Sequence, residues 1–104
     1  MSINIASIDN YQELVKEGFV IVDFYTDFCA PCKRFAKILD DVDFEMSFVN
    51  IVKVNATHYP ELAERFDIKA SPTVLFYKDN VIVEQHVGVI EMEPLKEKIA
   101  SYIY

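Results

Sequence analysis

Residues 19–33 read FVIVDFYTDFCAPCK, and this stretch decides how the rest of the sequence is interpreted. Its opening run of β-branched and aromatic side chains is typical of a strand buried on both faces inside a sheet. The two cysteines of the chain, Cys29 and Cys32, follow that run with the spacing Cys-x-x-Cys. Such a pair beside a strand–helix pattern indicates redox chemistry, so the surrounding sequence has to provide that pattern.

The sequence after the cysteines provides it. Phe35, Ile38, Leu39 and Val42 recur at helical spacing, with charged residues between them. This is the pattern of an amphipathic helix that buries one face. The cysteine pair is therefore expected where a buried strand ends and a helix begins.

The other segments alternate between strand and helix patterns. Asp9 and Gln12 have the spacing of a capping box, which predicts a short helix through Glu17. The later elements are expected as a strand over 48–55, a short helix opened by Thr57 and Pro60, strands over 73–77 and 81–87 around a turn at 78–80, and a helix from Pro94. The order βαβ then ββα predicts an α/β fold: a central mixed sheet of four to five strands, flanked by about four helices on both faces.

Length and charge restrict the classes of function. A chain of 104 residues predicts a single domain over 1–104. The net charge of −7 disfavours nucleic acid or an anionic membrane surface as a partner, and no apolar run reaches the ~18 residues of a transmembrane helix. The first four residues lack the pattern of a secretory signal. We therefore expect a cytoplasmic protein, unless a signal segment has been removed.

The position of the cysteines predicts that they differ. A helix that begins just after Cys29 directs its free N–H groups and its dipole at that sulfur, and Lys33 adds positive charge. The pKa of Cys29 should therefore be lowered, which favours the attacking thiolate. Pro31 suits the first helical turn. Cys32 lies further into the helix and is expected to resolve the mixed disulfide that Cys29 forms with a substrate.

The cysteine pair has two other possible interpretations, a zinc site and a structural disulfide. Zinc normally requires four ligands, and the other soft candidates, His58 and His86, lie on separate elements without metal-ligand spacing. We therefore expect no metal site. A purely structural disulfide is disfavoured in the cytosol.

Asp23 interrupts an otherwise apolar strand pattern. Burial would raise the pKa of its carboxyl group, which could then move a proton to or from Cys32. The alternative is an aspartate at an edge or bulge that faces water. Lys53 interrupts the pattern of 48–55 in the same way, and it faces Asp23 if the two strands are neighbours. The alternative for Lys53 is a surface lysine whose stem alone is covered.

Several separated motifs resemble those of the thioredoxin family. Residues 22–25 with 29–33 look like its active-site segment, residues 71–73 (Ser-Pro-Thr) look like its cis-proline loop, and residues 78–80 and 87–89 fall at its hairpin turn and its substrate-facing glycine. The resemblance runs in order from about Ile5 to Ile103. Agreement among several motifs makes it specific, which Cys-x-x-Cys alone would not.

The resemblance implies a role for each matching catalytic position. Cys29 would be the nucleophile and Cys32 the resolving thiol, with Asp23 as the buried acid behind them and Lys53 as its partner. Pro72 would be a cis-proline beside the sulfurs.

The resemblance also implies a docking surface for substrate. The backbone of Ser71 would pair with an extended substrate segment, and Gly88 would let that segment approach closely. The apolar patch around the nucleophile would comprise Phe28, Ala30, Pro31, Val87 and Val89. Substrates would be disulfide-containing proteins, and electrons would come from a thioredoxin-reductase-type donor. No bound cofactor is implied, and we expect a monomer.

The sequence departs from the family pattern at several positions. Tyr25 and Phe28 stand where thioredoxins usually carry tryptophan, so the patch loses an indole N–H donor. Ala30 replaces the usual glycine between the cysteines, and Ser71 makes the position before the cis-proline more polar. Lys37 replaces a helix-kinking proline, which predicts a straighter helix. These departures leave the reaction class intact and affect both the choice of partner and the direction of electron flow.

The leading hypothesis is a protein-disulfide reductase that works by dithiol–disulfide exchange in cytosolic redox homeostasis. The alternative is a thioredoxin-fold binding module or subunit, whose thiols sense redox state and which has little general reductase activity.

Overall fold

The computed structural model describes residues 3–104, so Met1 and Ser2, part of the segment assessed for a secretory signal, lie outside the described residues. Strands and helices alternate along the described chain as β1 (Ile3–Ile5), α1 (Tyr11–Val15), β2 (Phe19–Tyr25), α2 (Ala30–Glu45), β3 (Asn50–Asn55), α3 (Pro60–Arg65), β4 (Thr73–Lys78), β5 (Val81–Val87) and α4 (Met92–Ile103). Between residues 3 and 104, no helix combines the length and hydropathy needed to span a bilayer.

The strands form one mixed sheet in the order β1-β3-β2-β4-β5. β3 pairs in parallel with both β1 and β2, whereas β4 is antiparallel to β2 and to β5. The predicted α/β architecture, a mixed sheet with helices on both faces, is therefore confirmed.

β2 occupies the centre of the sheet, and its alternating side chains enter two separate cores. Ile21 packs with apolar residues of α2 and α4 on one face. Val22 and Phe24 pack with residues of α1 and α3 on the other face. Because both faces are covered, the continuous apolar run predicted for this strand is buried almost throughout.

The short N-terminal strand was not predicted. β1 has three residues and pairs with β3 so that Ile5 lies opposite Lys53. A strand this short shows too little alternation to be recognised from periodicity. Its place at the sheet edge puts Ile5 beside the candidate site.

Several predicted boundaries were wrong. The proposed capping box does not cap α1: its N-cap is Asn10, which makes no side-chain capping bond to the helix and whose Oδ1 instead accepts from Ser7 N at 2.6 Å. That helix ends at Val15 rather than Glu17. The third strand begins at Asn50 rather than at 48, and α4 begins at Met92, so Pro94 lies within its first turn.

The turn between β4 and β5 fixes the position of the last strand. Asp79 and Asn80 both have positive φ, 49° and 70°, the combination of a tight two-residue hairpin turn. The resulting pairing brings Val87 opposite Thr73. The end of β5 thereby reaches the same edge of the sheet as the loop that contains Pro72.

Candidate active site

Cys29 and Cys32 lie between the end of β2 and the first turn of α2, where they form a disulfide with a Cα–Cα distance of 5.2 Å. Cys29 is the N-cap of α2, and its Sγ accepts a hydrogen bond from Cys32 N at 3.1 Å. Cys29 is partly exposed, whereas only 4% of Cys32 is accessible. The two sulfurs therefore differ in both access and electrostatic surroundings, since free N–H groups at a helix N-terminus favour negative charge.

The loop before Cys29 is held by two polar residues at the end of β3, Asn55 within the strand and Thr57 just after it. Asp27 N donates to Thr57 Oγ1 at 3.1 Å, and Asn55 Nδ2 donates to Asp27 Oδ1 at the same distance. Phe28 follows with a φ of +59° and is 100% exposed. A bulky residue in the left-handed region costs roughly 1–3 kcal/mol, so these bonds support a strained conformation that presents the aromatic ring to solvent.

These supporting residues were missed by sequence reasoning. The sequence predicted Asn55 as the end of a strand and Thr57 as the start of a short helix, and neither position indicated a contact with the cysteine loop; α3 in fact begins at Pro60. The available signal was topological, because Asn55 pairs with Tyr25 at the ends of two parallel strands.

The loop before β4 lies directly beside the exposed sulfur. The Ser71–Pro72 peptide bond is cis, as the resemblance implied. Ser71 Oγ donates toward Cys29 Sγ across 3.6 Å, and the Ser71 carbonyl oxygen lies 3.7 Å from the same sulfur. Ser71 Oγ is also 2.8 Å from Thr26 Oγ1. Thr26 was not singled out from the sequence, because threonine between Tyr25 and Asp27 forms no recognisable motif.

The predicted docking residues lie at this same end of the sheet. Gly88 has a φ of +101° and its N–H donates to Pro72 O at 2.8 Å. Val87 is 59% exposed, whereas Val89 is partly buried against the core. Ala30 and Pro31 are exposed in the first turn of α2.

Asp23 lies in the interior of β2, with only 1% of its surface exposed. Within residues 3–104, its Oδ1 is the buried side-chain nitrogen or oxygen atom that lacks a hydrogen-bond partner. Burial raises the pKa of Asp23 from 3.8 to about 7, although the positive charge of Lys53 acts in the opposite direction. The strand register places Asp23 and Lys53 side by side. The structure therefore brings together two residues that the sequence linked only conditionally.

A cavity of about 550 Å³ joins this carboxyl group to the cysteine pair. Its lining comprises Ile5, Asp23, Tyr25, Thr26, Asp27, Phe28, Cys29, Cys32, Lys33, Ala36 and Lys53. The cavity therefore places Asp23 and Cys32 along one opening toward solvent, an arrangement compatible with proton exchange between them.

The other two soft side chains lie on different elements. His58 precedes α3 and His86 lies on β5. Across residues 3–104 there is no cluster of three or more His, Cys, Asp or Glu side chains suited to a metal ion.

A Cys-x-x-Cys pair at a helix N-terminus, next to a cis-proline loop and in front of a buried carboxyl group, defines a class of protein. Here it lies on a central mixed sheet covered by helices. The arrangement is that of a thiol–disulfide oxidoreductase, in which a thiolate attacks a disulfide and a second thiol resolves the intermediate.

Sequence comparison identifies the family. The thioredoxin family model matches residues 2–101, so the chain belongs to the thioredoxin family. It is 33% identical over 104 residues to thioredoxin of Bacillus subtilis, which covers 99% of this chain and 100% of that protein. It is 32% identical over 100 residues to thioredoxin of Chlamydia muridarum, with 96% and 98% covered.

Solved structures agree with this assignment. The crystal structure of Chlamydomonas reinhardtii thioredoxin f2 matches with a TM-score of 0.83 and 31% identity, covering 93% of each chain. A mutant thioredoxin from Halobacterium salinarum matches with a TM-score of 0.89 over 98% of this chain and 90% of that one; at 23% identity this match shows the fold alone. The predicted fold, family and thiol–disulfide oxidoreductase activity are confirmed.

Proposed function

We propose that the chain is a protein-disulfide reductase in which Cys29 is the nucleophile and Cys32 the resolving thiol. The observation that carries this assignment is the hydrogen bond from Cys32 N to Cys29 Sγ, at 3.1 Å on the N-terminal turn of α2. Charge on sulfur is stabilised by such a donor and by the helix dipole. The greater exposure of Cys29 supports a first attack by the same sulfur.

The exchange transfers two electrons from the protein dithiol to the substrate disulfide. The Cys29 thiolate attacks one substrate sulfur, forms a mixed disulfide and releases the other substrate sulfur as a thiolate. The Cys32 thiolate then attacks Cys29 Sγ, which closes the protein disulfide and releases the second substrate thiolate. Protons from water or from a neighbouring acid complete the two substrate thiols.

Asp23 accepts the proton that Cys32 must lose before it can attack. The carboxyl group suits this role because burial raises its pKa to about 7, close to the pH at which a general base works most effectively. Lys53 limits that rise, since its charge favours the carboxylate. The cavity supplies the route by which the proton reaches solvent.

Substrate docks on the exposed end of the sheet. An extended segment pairs with the backbone at Ser71 and passes close to Gly88, in the manner of an added strand. The exposed ring of Phe28, with Ala30, Pro31, Val87 and Val89, contacts apolar side chains that flank the substrate disulfide. Pro72 holds the Ser71 carbonyl beside Cys29.

The partners follow from this chemistry. Substrates are proteins that carry accessible disulfides, and a thioredoxin-reductase-type enzyme regenerates the dithiol. The protein acts as a single-domain monomer in the cytoplasm, with no bound cofactor.

Reduction of insulin by dithiothreitol tests the function. The protein should accelerate precipitation of the insulin B chain, and Cys29→Ser should remove the acceleration. No acceleration by the parent protein would contradict the reductase assignment and favour a redox-sensing binding module. Metal analysis of the purified reduced protein tests the zinc alternative, because stoichiometric zinc would contradict a free dithiol.

A further inference from the structure

Two hydroxyl groups lie in series beside the nucleophilic sulfur. Thr26 Oγ1 and Ser71 Oγ are 2.8 Å apart, and Ser71 Oγ is 3.6 Å from Cys29 Sγ. Thr26 lies directly after β2 and Ser71 directly before the cis-proline, so the two hydroxyls come from segments 45 residues apart. Both side chains are partly buried, which limits competition from bulk water.

We propose that this pair is a hydrogen-bond donor chain for Cys29, in which Ser71 stabilises the thiolate directly and Thr26 positions Ser71. The inference rests on the proposed function, because it requires Cys29 to be the attacking thiolate. Ser71 thereby becomes a catalytic residue through its side chain, in addition to the backbone role assigned to it above.

The direction of the chain follows from the bond that Ser71 Oγ donates to Cys29 Sγ. Each hydroxyl carries one proton. When Thr26 donates to Ser71, the Ser71 proton is left to point at the sulfur. A hydroxyl that accepts one bond becomes a stronger donor in the next, so Thr26 strengthens the contact that Ser71 makes with Cys29.

The benefit differs between the redox states. A hydrogen bond to an ionised acceptor is roughly twice as strong as a neutral one, and the sulfur is anionic only in the reduced protein. The donor chain therefore stabilises the thiolate more than the disulfide. The Ser71 carbonyl oxygen, 3.7 Å from the same sulfur, can accept from the protonated thiol. Ser71 can therefore form a hydrogen bond with Cys29 in either protonation state, as a donor to the thiolate and as an acceptor from the thiol.

The test measures thiolate ionisation and the thiol–disulfide equilibrium. In Ser71→Ala, the midpoint of the 240 nm absorbance that appears with rising pH should move up by about one pH unit. The equilibrium with dithiothreitol should shift roughly threefold to tenfold toward the protein disulfide. Ser71→Thr keeps a hydroxyl and should restore both values.

Thr26 is tested by a double-mutant cycle. Thr26→Val should shift both measurements in the same direction as Ser71→Ala but by less. Adding Thr26→Val to Ser71→Ala should change nothing further, because Thr26 acts only through Ser71. Additive effects would overturn the donor chain.

Thr73→Val is the matched control. Thr73, the first residue of β4, donates from Oγ1 to Ala70 O at 2.6 Å, and that bond does not involve the sulfur. This variant should lose stability and leave the ionisation midpoint unchanged. A midpoint in Ser71→Ala equal to that of the parent, or an equal shift in Thr73→Val, would overturn the proposal. Insulin reduction by the parent protein would stand in either case, so the two failures are distinguishable.

Discussion

The two sides of one disulfide have opposite surroundings. On the Cys29 side, the hydroxyls of Thr26 and Ser71 lie at a partly exposed surface. On the Cys32 side lies the buried carboxyl group of Asp23, whose Oδ1 has no hydrogen-bond partner within residues 3–104. The exposed side is suited to holding charge on sulfur. The buried side is suited to moving a proton, because it disfavours charge on Asp23.

The comparison is tested most strongly at the sulfurs themselves. Cys32→Ser should lower insulin turnover by at least ~10³-fold, because the mixed disulfide on Cys29 can no longer be resolved. Mass spectrometry should show a stable one-to-one adduct with the substrate.

Cys29→Ser should be equally inactive and should form no such adduct. An adduct through Cys32 in that variant would reverse the assignment of the two thiols.

The buried carboxyl group of Asp23 should lower the free energy of unfolding at neutral pH. The pKa of Asp23 is about 7 when folded and near 4 when unfolded. The folded protein therefore binds more protons between pH 4 and 7, and its free energy of unfolding falls as the pH rises through that window. A shift of this size corresponds to roughly 4 kcal/mol.

Asp23→Asn removes this penalty. In the disulfide form, urea unfolding at pH 4, 5.5, 7 and 8 should show a variant that is increasingly more stable than the parent up to pH 7, with a constant difference above. Parallel curves for parent and variant would contradict the burial of an ionisable carboxyl group. Asp40→Asn, on the exposed face of α2, is the control and should follow the parent.

The same variant should separate the two chemical steps. Asp23→Asn should slow release of the mixed disulfide by roughly 10–100-fold at pH 7, while its formation changes little, because Cys29 is stabilised on the other side. Quenched-flow measurement with a disulfide-bonded peptide resolves the two rates. Equal slowing of formation and release would contradict separate roles for the surroundings of Cys29 and Cys32.

The smallest effect is expected at the docking surface. Phe28→Ala should lower kcat/KM for a protein substrate roughly fivefold, because a fully exposed ring loses the apolar area that it buries on docking. Reactivity toward a small disulfide should be unchanged. Phe44 is also exposed and lies near the far end of α2, so Phe44→Ala is the matched control.

Local patterns predicted the main elements because β2 and β4 are continuous apolar runs and α2 repeats its apolar residues at helical spacing. They also predicted where the cysteine pair lies, because that position depends only on the strand before it and the helix after it. The proximity of Asp23 and Lys53 was predicted on the condition that their strands are neighbours, because the sequence of either strand does not determine which strand it pairs with. The register of β2 with β3 supplied that condition.

The residues that escaped prediction act across long separations. Thr26 matters because of its hydrogen bond with Ser71. Asp27 matters because of its hydrogen bonds with Asn55 and Thr57. Thr26 and Asp27 are common polar residues in the loop after β2, and no local pattern distinguishes them from their neighbours. The cap of α1 was misplaced by one residue for a related reason, because Asp9 and Asn10 are both good capping types.

The cavity behind the cysteines has a consequence for the order of events in a catalytic cycle. Its lining includes Asp23 and Cys32, and it also includes Phe28 and Cys29 of the proposed docking surface. A substrate docked as proposed therefore covers part of the cavity that leads to the carboxyl group. We expect proton exchange between Asp23 and solvent to be slower in the mixed disulfide than in the free protein, so that departure of the product restores the route for the proton.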